Sequence, residues 1–312
     1  MADILTLTVN PSIDISTTVE KIAPIHKLRC SEPLRDPGGG GINVARVAVR
    51  FGADVKALYA SGGAVGALLQ KLVEREGIPS QTIAVSEETR ESFTVFEERS
   101  GREYRFVLPG PHMSDAQWKR VLKALAEVEE RPRYVVASGS LSPGIPDDFY
   151  ARAAETVETL GAKFVLDTSG PSLQAALNKG VYLFKPNLRE LRELSGHPLT
   201  NESSWISACR KLIANGATEA VALTLGDQGA LLVTKEEAWR ARGLEIEVRS
   251  TVGAGDSFLG ALVASLAAGK DMAKAFQYGV AAGSAALLSP GTGLCGREDV
   301  ERLLAEVQLE QR

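Results

Sequence analysis

The chain has 312 residues, 44% hydrophobic and 24% charged, a globular composition with enough apolar material for an α/β domain and an appendage. Its formal charge of −4 gives no basic surface for nucleic acid, and no apolar run reaches the roughly 18 residues of a membrane span. Three cysteines without close pairing (Cys30, Cys209, Cys295) and three scattered histidines (His26, His112, His197) argue against a disulfide framework or zinc site and for a cytoplasmic address.

In chain order, residues 4–9 form an apolar run closed by Asn10 and Pro11, the pattern of a buried central strand. Asp14 follows its end. In an open α/β sheet ligands bind beyond the carboxyl ends of strands, so Asp14 is placed to meet one; taken alone, a turn aspartate is the commoner reading. Residues 17–37 lack helical period and read as irregular strands. Residues 91–98 and 103–108, separated by Ser100 and Gly101, read as a hairpin. Between these segments, glycines 38–41 enter a helix over 42–51. The run follows Arg35, Asp36 and Pro37 and continues Gly41, Ile42 and Asn43, a poor match to the dinucleotide fingerprint. It leaves backbone N–H groups open to a ligand, or serves as a flexible hinge. Asn43 can donate and accept, as sugar hydroxyls demand.

Strands at 55–60, 134–137, 163–166, 181–184 and 220–225 then alternate with helices at 66–76, 115–129, 149–160, 172–179, 188–194 and 204–215. That alternation implies parallel crossover units on one central sheet. The strand at 134–137 ends at Ser138 and Gly139, and the strand at 181–184 runs into Lys185, Pro186 and Asn187. Thr224, Gly226 and Gly229 lie at a turn before a further strand at 230–234.

Near the carboxyl end, Gly253, Ala254 and Gly255 lead into an apolar helix that begins near Asp256. The first turn of a helix carries unpaired N–H groups and the positive end of the macrodipole, which attract phosphate. Asp256 at its mouth is either a proton acceptor or a cap. The G-x-x-x-x-G-K-[ST] loop and the protein-kinase motifs do not occur in the sequence.

Residues Thr251, Val252, Gly253, Ala254, Gly255 and Asp256 resemble the carboxyl-terminal signature of the ribokinase-like sugar kinases, the phosphofructokinase B-type family. Residues 38–45 resemble its amino-terminal signature. Residues 27–30, 37–46, 104–106, 139–140, 185–187 and 279–286 are most similar to the bacterial 6-phosphofructokinase branch. Ser142 and Thr224 depart from that pattern, where a proline and a serine are usual, without removing a functional group.

The resemblance implies a single domain over 1–312, a three-layer α/β/α core on a mainly parallel sheet, with β-lid segments at about 15–37 and 89–108. It implies an ATP-dependent kinase that phosphorylates the C1 hydroxyl of fructose 6-phosphate. Tagatose 6-phosphate or fructose 1-phosphate is the next choice of substrate, and a sugar sensor without activity is the reading outside enzymes. Asp256 becomes the base and Gly253, Ala254 and Gly255 the anion hole. Asp14, Lys27, Gly39, Gly40, Asn43, Arg90, Arg105, Ser138 and Gly139 hold the sugar phosphate. Lys185, Asn187, Thr224, Gly226, Gly229 and Gly283 lie beside the nucleotide. Glu190 holds magnesium (Mg2+) through water, and Ser250, Val252, Ser289 and Gly291 offer a site for potassium (K+). Two chains pair through their lids. The helix terminus is expected to hold the Asp256 pKa low.

Overall fold

The computed structural model describes residues 2–312. From the amino end it runs β1 (Ile4–Thr8), β2 (Ser12–Val19), β3 (Leu34–Gly38), α1 (Gly40–Arg50), β4 (Val55–Ser61), α2 (Gly63–Arg75), β5 (Ser80–Ala84), β6 (Arg90–Glu97) and β7 (Arg102–Val107). The middle comprises α3 (Asp115–Ala126), β8 (Tyr134–Ser138), α4 (Phe149–Thr159), β9 (Lys163–Asp167), α5 (Gly170–Lys179), β10 (Val181–Phe184), α6 (Leu188–Ser195), α7 (Glu202–Ala214) and β11 (Thr218–Thr224). The last part adds β12 (Ala230–Val233), β13 (Ala238–Ala241), α8 (Ala254–Ala267), α9 (Met272–Ala286), α10 (Arg297–Leu304) and β14 (Leu309–Gln311).

The main sheet has ten strands in the order β14-β13-β12-β11-β10-β9-β8-β1-β4-β5. From β5 to β11 the neighbours are parallel, and β12, β13 and β14 add antiparallel pairs at one edge. Apolar residues alternate across β1: Ile4 joins the core under α1, α2, α8, α9 and α10, while Leu5, Leu7 and Val9 join the core under α3 to α7. The result is the expected three-layer arrangement. Helix α8 is apolar on every side and buried along most of its length, as a central helix must be. It packs on α1 so closely that a Cβ at Gly260 would lie 2.7 Å from Val47 Cβ. Burial of Leu259, Leu262 and Val263 contributes about 1.5–3 kcal/mol each, which fixes the amino end of α8 on a rigid frame.

A second sheet of four strands, β3-β2-β6-β7, leaves this core. The sequence placed its first strand too late. β2 begins at Ser12, so Asp14 lies inside a lid strand, not in a turn after β1. The alternation that decides this is Ile13 and Ile15 turned to the core, with Ser12, Asp14 and Ser16 on the opposite face. Register then aligns Ser12 with Arg90, Asp14 with Ser92 and Asp36, and Thr94 with Arg105. Laterally paired residues share a face, so Asp14, Arg90 and Arg105 stand on one side of the lid. Much of 20–33 is an exposed connection rather than strand. Strands β5, β13 and β14 and helix α10 were not read from the sequence; the three strands are short and lie at or near the sheet edges.

Candidate active site

The parallel strands deliver one residue after another to their carboxyl ends. Ser138 ends β8, Asp167 ends β9, Lys185 follows β10 and Thr224 ends β11. Helix α8 points its amino end into the same cleft. Its N-cap, Gly253, is left-handed at φ 76°, a conformation that costs an L side chain strain, and among the described residues no side chain caps the helix. The first-turn amides are therefore left for an anion. A Cβ at Gly255 would lie 3.3 Å from Lys185 Nζ, so the ammonium group sits directly against this turn.

Lys185 is buried and pairs with Asp167 at 3.3 Å. Burial pushes its pKa down, but Asp167, Asp256 and Glu190 outweigh burial and raise it overall, so the cation is firmly held. Asp256 accepts a hydrogen bond from Asn43 Nδ2 at 2.8 Å. The expectation of a low pKa for Asp256 is wrong in sign. Burial and, after it, the Asp167 charge push the carboxyl up to about 6, against Asn43 and Lys185, which favour the anion. Desolvation and a like charge outweigh the dipole of one helix end here.

The glycine run is not a loose hinge. Cβ atoms at Gly38, Gly40 and Gly41 would lie 2.4 Å from Asp14, 2.1 Å from Ser138 Oγ and 2.4 Å from Thr8 Oγ1. Gly39 has φ 105° and is hemmed by Thr8 and Pro11. Only a chain without side chains passes between the lid strand and the core strands, and this brings Asn43 under Asp256. Gly139 is pinned as well, since Tyr150 Oη and Thr168 Oγ1 both donate to its carbonyl, at 2.9 and 3.0 Å.

At the lid end, Asp14 is buried and accepts from Ser12 Oγ at 2.7 Å. Burial raises its pKa, while Ser12, Arg105, Arg90 and Arg46 pull the other way. The Arg90 guanidinium donates to the carbonyls of Leu108 (3.3 Å) and Asn10 (3.2 Å). Its Nε is buried without a partner, and so is Asn10 Oδ1. Unpaired buried polar groups are rare in folded proteins and point to a missing partner. Arg105 is exposed beside them and acts electrostatically on both Asp14 and Arg90. This cradle fits an anion with hydroxyls. Lys27 lies on the exposed 20–33 connection and is not among the charges that act on Asp14, so the structure does not bring it to the other cations within one chain.

On the other side, Asn187 and Glu190 form a reciprocal cap for α6: Glu190 N donates to Asn187 Oδ1 and Asn187 N donates to Glu190 Oε2, each at 2.9 Å. One carboxylate oxygen of Glu190 is thereby committed and the other is left for a water-bound cation. Its pKa is raised, by burial first. No cluster of three or more His, Cys, Asp or Glu side chains with metal-binding geometry occurs among the described residues. Magnesium needs no such cage, because it usually keeps its waters and leans on one or two carboxylates and on phosphate. Thr224 forms a bridge with Asn187, and Gly226 and Gly229 shape the turn beside it. Gly283 and Gly279 let α9 approach α8: Cβ atoms would lie 3.3 Å from Ala254 O and 3.1 Å from Phe258 O. Helix packing thus accounts for both glycines. Ser250 Oγ donates to Glu103 of β7 at 3.0 Å and accepts from Val252 N at 3.2 Å. Ser289 Oγ donates to Leu294 O at 2.9 Å, and Gly291, at φ 57°, abuts Ser16. These residues tie the loop before α8 to the lid.

Sequence reasoning missed Asp167, the partner of Lys185, and Arg46, buried in α1. A carboxylate closing a strand and a charge on an apolar helical face were the available signals.

The model of the pfkB family of carbohydrate kinases matches residues 7–299. The ATP-dependent 6-phosphofructokinase isozyme 2 of Mycobacterium tuberculosis (strain H37Rv) is 44% identical over 299 residues, 96% of this chain and 88% of that protein. The isozyme 2 of Escherichia coli (strain K12) is 37% identical over 306 residues, 98% of this chain and 99% of that protein. The crystal structure of phosphofructokinase-2 from Escherichia coli with fructose-6-phosphate superposes with a TM-score of 0.92 at 36% identity, covering 98% of this chain and 99% of that one. The same enzyme has been solved with potassium (TM-score 0.93) and as a tetrameric inhibited form (0.92).

Proposed function

The chain belongs to the pfkB family of carbohydrate kinases, and we propose that it is an ATP-dependent 6-phosphofructokinase. It transfers the γ-phosphoryl group of ATP to the C1 hydroxyl of fructose 6-phosphate, giving fructose 1,6-bisphosphate and ADP. The observation that carries this reading is the buried, partnerless Arg90 Nε beside Asp14 and Arg105, at the lid end of a cleft that holds Asp256 at a bare helix terminus. An unphosphorylated sugar has no use for that pair of arginines.

Arg90 and Arg105 receive the 6-phosphate, and guanidinium forks suit it. Asp14 and Asn43 bind sugar hydroxyls. Ser138 and the pinned Gly139 close the floor of the sugar pocket. Asp256 accepts the proton of the C1 hydroxyl as the new O–P bond forms and the bond to the β-phosphate oxygen breaks. A carboxylate with a pKa of about 6 is mostly ionised at neutral pH yet basic enough for this task. The amides of Gly253, Ala254, Gly255 and Asp256, with Lys185, take up charge on the transferring group. Asn187, Thr224, Gly226, Gly229 and Gly283 border the nucleotide, and Glu190 is the carboxylate that suits magnesium. Bound Mg–ATP supplies the phosphoryl group and partial neutralisation of its charge. The loop of Ser250, Val252, Ser289 and Gly291 would hold a monovalent cation; potassium in the Escherichia coli crystal structure supports this choice.

The chain works as one domain, with its lid as an insertion. Leu34, Phe106 and Val107 are exposed hydrophobics on the lid, and covering them in a homodimer removes that apolar surface from water and protects the lid edges. Lys27 then has a neighbouring site within reach. The three cysteines are free, and no described helix is long and apolar enough to cross a membrane; the free thiols suit a cytoplasmic address. The test of function is a coupled ADP-release assay across fructose 6-phosphate, tagatose 6-phosphate, fructose 1-phosphate, fructose, ribose and adenosine. Fructose 6-phosphate should give the highest kcat/KM. Equal turnover of free fructose would sink the phosphate clamp.

A further inference from the structure

Arg46 is the largest fully buried side chain of the described residues, 2% exposed, and the reaction as set out above gives it no task. It lies one turn along α1 from Asn43. Its Nε donates to Glu76 Oε1 at 3.0 Å and its Nη2 pairs with Asp36 Oδ1 at 3.1 Å and with Glu76 at 2.8 Å. Its Nη1 donates to the carbonyls of Pro37 (3.2 Å) and Thr292 (3.5 Å) and to Asn43 Oδ1 (3.4 Å). Thr292 Oγ1 in turn donates to Asp36 Oδ2 at 2.8 Å.

A buried ion cluster is a weak way to stabilise a fold, since removing charges from water offsets most of their attraction. The partners suggest another use. Asp36 and Pro37 belong to lid strand β3, Thr292 to the loop that carries Gly291, and Asn43 to the Asp256 contact. A guanidinium only donates, so the side facing Arg46 must be the carboxamide oxygen of Asn43. The opposite, donating side of that amide then faces Asp256, 2.8 Å away. Rotated by half a turn, the amide would set its oxygen against a carboxylate.

We propose that Arg46 is a positioning residue, which locks the Asn43 amide in the orientation that donates to Asp256 and holds lid strand β3 and the 290–293 loop in register with it. This rests on the reading of Asp256 as the base. The groups that bear on Asp256 are Asn43 from α1, Asp167 from the end of β9, Lys185 after β10 and Asp14 from β2; Arg46 acts through the first by contact, and its charge, which lysine keeps, also bears on Asp14.

The test compares wild type with Arg46→Lys, Glu76→Gln and Asp256→Asn. Lysine keeps the charge beside Asp36 and Glu76 but cannot also reach Asn43 as a planar fork does. Arg46→Lys should lower kcat about 10–100-fold, the scale of a small misplacement of a reacting group, and move the acidic limb of its pH profile upward, with KM for Mg–ATP unchanged. Glu76→Gln disturbs the same cluster away from Asn43; it should lose comparable thermal stability yet keep kcat and the limb. In protein labelled at asparagine side-chain nitrogen, the Asn43 amide should titrate with Asp256 near pH 6 in wild type, and this coupling should weaken in Arg46→Lys. If Arg46→Lys does not fold, the charge-free pair Arg46→Met with Glu76→Met takes its place, with the same expected outcomes. A folded Arg46 variant with wild-type kcat, limb and Asn43 titration overturns the proposal. Full activity of Asp256→Asn would instead overturn the reading of the base, so the two failures are distinguishable.

Discussion

Replacing Asp256 with asparagine should stabilise the protein and disable it in one step. The folded carboxyl has a pKa of about 6, raised by burial and by Asp167. The ordinary value is about 3.9, and two units correspond to about 3 kcal/mol. The sign follows from the proton count. Between pH 3.9 and 6 the folded state holds a proton that the unfolded chain has released, so stability is greatest below about 3.9 and is lost as pH rises through about 6. At pH 8 the ionised Asp256 therefore opposes folding. Part of its surface meets the cleft, so the realised penalty is about 1–3 kcal/mol.

Asparagine cannot ionise, and its carbonyl can still accept from Asn43 Nδ2. Asp256→Asn should melt higher than wild type at pH 8, by roughly 1–5 °C for a chain of this size. The gain should fall to about half near pH 5 and vanish only below about 3.9. Over the same range kcat should fall by about 10²–10⁴, the worth of a general base, with fructose 6-phosphate binding changed far less. Scanning calorimetry at several pH values and a coupled ADP assay read the two effects. A melting difference that is negative at pH 8, or that does not vary with pH, refutes the electrostatic account. A near-normal kcat refutes the chemistry.

Three further outcomes follow from the same geometry. Arg90→Ala and Arg105→Ala should each raise KM for fructose 6-phosphate by roughly 10–150-fold, from about 1.5–3 kcal/mol per charged hydrogen bond, and leave Mg–ATP binding nearly intact; steady-state kinetics with either substrate varied decides it, and unchanged KM in both variants would remove the clamp. Asp167→Asn takes away a charge that raises the Asp256 pKa and the partner of Lys185, so the acidic limb of kcat should move to lower pH while KM for Mg–ATP rises; a limb that stays in place shows that burial alone sets the pKa. Sedimentation at micromolar concentration should show a dimer that Phe106→Glu or Leu34→Glu dissociates, and a fully active wild-type monomer would dismiss the lid interface.

What was legible in the sequence was local. Small residues before an apolar helix mark the amino end of α8, and the strand–helix alternation gives the parallel sheet. The glycine run read as a ligand-facing segment or a flexible hinge, and the structure gives it another reason: Gly38, Gly40 and Gly41 are required by the walls that Asp14, Ser138 and Thr8 build around them. Asp14 was misplaced because Pro11 and Ser12 resemble a turn, whereas Ile13 and Ile15 already alternate as a strand. The remainder arises from contacts between distant segments. Asp167 meets Asp256 and Lys185 only because β9 and β10 are neighbours in the sheet and α8 ends above them. No spacing rule carries that, and with it went the sign of the Asp256 pKa.

The distribution of charge in the cleft explains why that sign matters. Asp167 and Asp256 lie on the core side with a single buried cation, Lys185. Of the arginines that oppose Asp14, Arg105 and Arg90 stand on the lid and Arg46 on α1. A helix terminus alone would make Asp256 a strong acid and hence a feeble base. Burial and the neighbouring Asp167 restore its basicity, while Asn43 and Lys185 keep it from being neutralised at the working pH. The proposed base is thus poised by opposing influences from α1, β9 and β10. Substitutions at Asn43, Asp167 and Lys185 should therefore move the acidic limb in predictable directions: up for Asn43→Ala, down for Asp167→Asn, and up for Lys185→Met. If all three move it the same way, the site is governed by general disruption rather than by these charges.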